Sequence, residues 1–90
     1  MLAIAAPYLA EAAGAFAFIL SIFLSGGNPL IIGAALAAVV FLIGPVSGGH
    51  VNPAVSAAMM LDGAISPNKF AGYVVAQLIG GAAAYYAYRR

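Results

Sequence analysis

Charge vanishes from this chain over long distances: no Asp, Glu, Lys or Arg stands between Glu11 and Asp62, and Phe70 to Tyr88 is again free of them. A helix crosses a hydrocarbon core with about 20 apolar residues, so these regions hold roughly three spans. Proline, glycine and asparagine divide them. Pro7 suits a helix start, and a first span is predicted over about 8–24, closed by Ser25-Gly26-Gly27-Asn28-Pro29. The second is predicted over about 30–43, stopping near Gly44-Pro45 because proline disfavours helix in the residue before it. Those two form an antiparallel hairpin. A third span, about 67–88, starts at Pro67 behind Ser66 and carries Tyr85, Tyr86 and Tyr88 before Arg89-Arg90, a pattern that marks a membrane interface.

The residues left over, about 46–62, break this pattern. They are too polar and glycine-rich for an ordinary span, yet they hold almost no charge that would keep them in water. Asn52 is a strong N-cap and Pro53 falls at the first helical position, where its missing amide hydrogen costs nothing, so Ala54 to about Leu61 reads as a short helix ended by Asp62-Gly63. Two and a half turns cross only half a bilayer. The segment is therefore predicted to be re-entrant: a loop through Gly48-Gly49 dips to mid-membrane and the half-helix returns the chain to the side it came from. Irregular backbone at that depth survives only where protein buries it or water reaches it, which implies a cavity or pore. The half-helix then points its positive dipole end at the membrane centre, and the carbonyls of Gly48, Gly49 and His50 are candidates for a ladder of acceptors.

Composition agrees with lipid as the solvent. The chain is 66% hydrophobic and 6% charged, with a mean hydropathy of +1.10, too little polar surface to cover a water-soluble globule. The expected class is an all-α, multi-pass integral membrane protein. A net charge of +1 argues against nucleic acid as a partner. With no cysteine and a single histidine lacking nearby acids, neither a disulfide scaffold nor a metal centre is expected, and no cofactor is implied. The first apolar segment has no basic stretch before it, contains Glu11 and is followed by equally hydrophobic sequence, so it reads as a retained helix and not as a cleaved signal.

Ser47 to Val55 (SGGHVNPAV), preceded by Leu9-Ala10-Glu11-Ala12-Ala13-Gly14 and followed by Gly72-Tyr73-Val74-Val75-Ala76-Gln77-Leu78-Ile79-Gly80-Gly81, closely resembles the first half of the aquaporins and glycerol facilitators, the major intrinsic proteins. The likeness runs over nearly the whole chain. It implies one half-length domain over residues 1–90, three transmembrane helices plus one re-entrant half-helix, half of an inverted-repeat fold. By the same resemblance Asn52, Pro53 and Ala54 are the pore motif, Gly48 to His50 the carbonyl ladder, and Glu11 the buried carboxylate that accepts hydrogen bonds from loop amides. Ile32 falls where the family contributes a constriction side chain, often aromatic. Two departures matter. There is one Asn-Pro-Ala motif where the family has two, and position 55 is Val, whereas the family's selectivity arginine follows its second motif.

The implied function is a channel subunit passing water or small neutral solutes such as glycerol, its pore completed by a second copy or a complementary half-length chain. Lysine and arginine count one against two across the membrane, too small a bias to impose one orientation, which allows an inverted dimer as the pore unit of a homo-oligomer. A plainer reading stands at several positions. The His50 side chain is expected to pack structurally, with only its carbonyl facing the path, Gln77 is expected to serve helix packing through an interhelical hydrogen bond, and Gly72, Gly80 and Gly81 are expected to let helices approach closely. The alternative function is a non-conducting membrane structural or interaction protein that keeps the half-aquaporin fold, a reading that Ile32 and Val55 favour. An enzyme is not expected, since Ser47, His50 and Asp62 offer no nucleophile, base and orienter within one short loop.

Overall fold

The computed structural model describes residues 1–89; Arg90, half of the expected basic pair after the third span, lies outside them. Four helices follow in order: α1 (Leu2–Leu24), α2 (Pro29–Ser47), the short α3 (Pro53–Leu61) and α4 (Pro67–Arg89). Three of them, α1, α2 and α4, are long and apolar enough to cross a membrane, and this is an all-α integral membrane fold with a half-helix in its middle. α1 packs against both α2 and α4, while α3 leans on α4. Outward side chains such as Leu30, Phe41, Leu42 and Leu78 are exposed, as the lipid-facing surface of such a bundle must be.

Two helix ends differ from the sequence reading, and proline is the reason each time. α1 starts at Leu2 with Pro7 inside it, where a start near residue 8 is predicted. Pro7 removes one intrahelical bond, to Ala3, but it lies in the second turn, and Leu2 to Ala6 are helix-favouring enough to extend past it. Likewise α2 runs through Gly44-Pro45 to Ser47. It ends instead at Gly48, which adopts φ +94 and gives its N–H to the Gly44 carbonyl at 2.8 Å. A left-handed glycine ends a helix more decisively than a proline one turn earlier.

The other boundaries follow their local chemistry. Asn28 caps α2 by accepting from the amides of Leu30 (2.9 Å) and Ile31 (3.2 Å), with Pro29 at the first helical position. Asn52 caps α3 in the same manner, its side chain accepting from the Ala54 amide at 2.8 Å. Ser66 accepts from the Lys69 amide at 3.1 Å at the head of α4. Each such cap contributes about 1 kcal/mol.

Small residues let the long helices approach. A Cβ on Gly80 of α4 would collide with the Ala12 carbonyl of α1, so no larger residue fits without moving backbone. Gly14 of α1 likewise makes room for Ile43, Val39 and Val51. A Cβ on Gly72 would run into the Tyr8 ring, and one on Gly81 would stand 3.0 Å from the flexible end of Ile19. Aromatic side chains close the far end of the bundle: Phe23 stacks on Tyr88 at 4.8 Å and meets Tyr85 edge-on at 6.0 Å.

Candidate functional site

Depth comes from counting helical rise. Glu11 lies about 14 Å along α1 from Leu2 and Gln77 about 15 Å along α4 from Pro67, each near the middle of a helix about 35 Å long. Glu11 reaches the segment between α2 and α3, and Gln77 reaches Glu11 itself and Ser56 in the first turns of α3, so that segment sits near the membrane midplane. From there α3, about 13 Å long, returns the chain to the side where α1 and α4 begin.

The backbone of that segment is contorted. Gly48 and Gly49 take φ +94 and +67, which glycine tolerates, but Val51 takes φ +45, a region that costs a β-branched residue about 1–3 kcal/mol. Glu11 offsets the strain. Fully buried, its Oε1 accepts from the Val51 amide at 2.7 Å and from Gln77 Nε2 at 2.9 Å, and its Oε2 accepts from the His50 amide at 2.9 Å and from the Ser47 hydroxyl at 2.7 Å. Four donors fill the four acceptor positions of one carboxylate. The Gly49 amide donates to Ser47 Oγ at 3.1 Å, and Tyr73 holds the Ser47 carbonyl through its hydroxyl at 2.6 Å.

This bracing orients the peptide groups. All four amide hydrogens from Gly48 to Val51 point back into the protein, to Gly44, Ser47 and Glu11. Among residues 1–89, no hydrogen bond ends on the carbonyls of Gly48, Gly49 or His50. Three carbonyls are thus left without a protein partner, two of them on the buried residues Gly49 and His50, beside Asn52, whose side-chain oxygen is used by the cap and whose amide NH2 is free in an exposed side chain. The amide end of α3 adds a partial positive charge of about half a unit at the same level. Such a surface offers acceptors and donors to a small neutral polar molecule and opposes a cation.

Behind the loop the polar side chains form a closed cluster. His50 Nδ1 lies 2.8 Å from Ser56 Oγ, and Gln77 Nε2 lies 3.0 Å from the same oxygen. The His50 ring meets Tyr73 edge-on at 5.0 Å, and Tyr73 meets Tyr8 at 5.7 Å. Gln77, expected to make an interhelical hydrogen bond, makes two and links α4 to both α1 and α3. Ile32 is not brought into the cluster: it lies fifteen positions before Ser47 on α2, about 22 Å along the helix axis. A separate concavity of about 630 Å³ between α1 and α4, lined by apolar residues including Tyr8, Val75 and Ile79, shares no member with the loop.

Three residues of the cluster carry more than the sequence reading assigned them. Ser47, Ser56 and Tyr73 hold loop, half-helix and α4 together, and the one signal available for Ser56 was a hydroxyl one turn after a cap in an otherwise apolar half-helix. Nothing local distinguishes it from a serine bonding its own helix.

Comparison with known proteins agrees with this geometry. The family profile described as Major intrinsic protein matches residues 24–88. The chain is 36% identical over 81 residues to the glycerol uptake facilitator protein-like 6 of Lactiplantibacillus plantarum, covering 81% of this chain and 38% of that protein. It is 43% identical over 53 residues to the aquaglyceroporin AqpS of Rhizobium meliloti, covering 59% of this chain and 23% of that protein. To aquaporin-5 of Sus scrofa it is 45% identical over 51 residues, covering 57% and 19%. The matches thus span well under half the length of these relatives. No solved structure gives a significant match.

Proposed function

Because the chain belongs to the major intrinsic protein family, we propose that it forms one wall of an aquaporin-like pore for passive movement of water or small neutral solutes such as glycerol. The observation that carries this reading is the polar re-entrant loop between the exposed Gly48 and Asn52: three carbonyls without a protein partner and the free amide of Asn52 at mid-membrane. Lipid tails cannot satisfy such groups, so water and a second protein surface must cover them. Asn52, Pro53 and Ala54 form the pore motif, Gly48 to His50 the acceptor ladder, and Glu11 the brace that keeps both in place.

The pore is completed by a second half, either an inverted copy of this chain or a complementary segment of similar fold. An inverted copy sets two Asn-Pro ends against each other at the midplane, their dipoles together opposing cations. Ile32 on α2 contributes an aliphatic wall and Val55 supplies no fixed positive charge, so discrimination among neutral solutes is weaker than in a channel with an aromatic and arginine constriction. Those same two residues favour a second reading, a non-conducting membrane protein that uses the fold for packing or partner binding.

Stopped-flow light scattering on proteoliposomes, with water and glycerol gradients compared, separates the two. Permeability above that of empty vesicles is expected, and Asn52→Asp should lower it by placing an acidic group at the midplane. Unchanged flux in that variant at equal membrane content would remove Asn52 from the path and leave the non-conducting reading.

A further inference from the structure

Ser56 is the hinge of a chain of contacts running from Glu11 through Gln77 to His50. Gln77 Nε2 carries two hydrogens and has two acceptors, Glu11 Oε1 at 2.9 Å and Ser56 Oγ at 3.0 Å. The reversed amide would set Oε1 against a carboxylate oxygen, acceptor facing acceptor, so the amide direction is decided by Glu11. Ser56 Oγ therefore receives one hydrogen and must place its own. The residue has no exposed surface, and among residues 1–89 the acceptor within its reach is His50 Nδ1 at 2.8 Å. A ring nitrogen that accepts carries no hydrogen, and in the neutral imidazole the proton then belongs to Nε2.

We infer that Ser56, aligned by Gln77, is a positioning residue that fixes His50 in the Nε2–H tautomer and so makes the ring a hydrogen-bond donor at the open edge of the loop. Nε2 lies against Gly48, where an added Cβ would stand 3.1 Å away. It makes no hydrogen bond within residues 1–89 and is not enclosed, in contrast to Gln77 Oε1, which is buried without a partner. A donor beside the carbonyls of Gly48 to His50 orients a hydroxyl that those carbonyls alone would bind through its hydrogens. This last step rests on the reading of the open face as a solute path; the tautomer does not.

His50 is the chain's only histidine, which makes the test direct. Protein labelled with 15N-histidine is placed in lipid nanodiscs at about pH 9, above the ordinary imidazole range, and the ring nitrogens are identified by their couplings to the ring protons. The expected result is a hydrogen-bearing Nε2 and a bare, hydrogen-bonded Nδ1. Ser56→Ala should shift the Nδ1 resonance and populate the other tautomer, and Ser56→Thr, which keeps the hydroxyl, should restore the original pattern. A hydrogen on Nδ1 in the unaltered protein, or ring signals unmoved by Ser56→Ala, would overturn the assignment. Water permeability should fall several-fold in Ser56→Ala and recover in Ser56→Thr; undiminished flux with an altered tautomer would overturn the role of the donor in the path. If the unaltered chain conducts nothing, the channel reading fails while the nitrogen spectra still decide the tautomer.

Discussion

Two stretches of this chain are nearly the same in local chemistry. Ser25-Gly26-Gly27-Asn28-Pro29 and Ser47-Gly48-Gly49-His50-Val51-Asn52-Pro53 each run from a serine through two left-handed glycines to an asparagine that caps a helix opened by proline. One is a surface turn and the other lies at mid-membrane. Around Gly26 and Gly27 there is nothing within 4 Å of where a side chain would be, whereas at Gly48 and Gly49 it would meet His50 and the backbone of Val40. The difference is not in the turn residues. His50 and Val51 bring two more amides to the second stretch, and Glu11 accepts both. A loop of this kind can leave water when another helix supplies a buried acceptor for its amides, and its carbonyls are then the groups left without a protein partner.

Removing that acceptor is the harshest way to break the contrast. Glu11→Ala orphans the amides of His50 and Val51, and at about 1–3 kcal/mol for each buried unsatisfied group the loss should be about 2–6 kcal/mol. Denaturant titration in mixed micelles would measure it. A loss no greater than that of a surface cap would mean the loop is held by something other than Glu11.

Glycine substitutions sharpen the comparison at a smaller scale. Gly27→Ala and Gly49→Ala both force a side chain into the left-handed region at about 1–2 kcal/mol. The added Cβ at 49 would also stand 3.3 Å from Val40 Cα, so this variant should be the less stable of the two. Equal thermal shifts would show that the surroundings of Gly49 yield freely.

The smallest effect is expected at the surface cap. Asn28→Ala should cost about 1 kcal/mol and leave permeability unchanged, since its partners Leu30 and Ile31 are exposed. Reduced flux without loss of protein from the membrane would tie the outer turn to the path after all.

The helices themselves were readable because lipid leaves a blunt signature: long uncharged stretches, and caps whose side chains act within three residues. The half-helix behind Asn52-Pro53 followed from that rule alone. Pro7 and Pro45 misled the reading of two ends, because proline costs one hydrogen bond near a terminus and neighbouring residues can outweigh it. Gln77 was visible as a polar residue in an apolar span, but its three-way role was not, since its partners lie 66 and 21 positions away.

Medium, helix number and the position of the half-helix therefore follow from composition and short-range chemistry, which act over a few residues and need no partner. Depth of the loop, the direction of its carbonyls and the joining of Glu11, Ser47, Ser56, Tyr73 and Gln77 into one cluster depend on how α1 and α4 cross, close enough at Gly80 and Ala12 to bring a carboxylate from one helix and an amide from the other to the same few ångströms of backbone. Hydrogen bonds are short and directional, so local sequence can announce a donor or an acceptor, and only packing can bring the two within 3 Å.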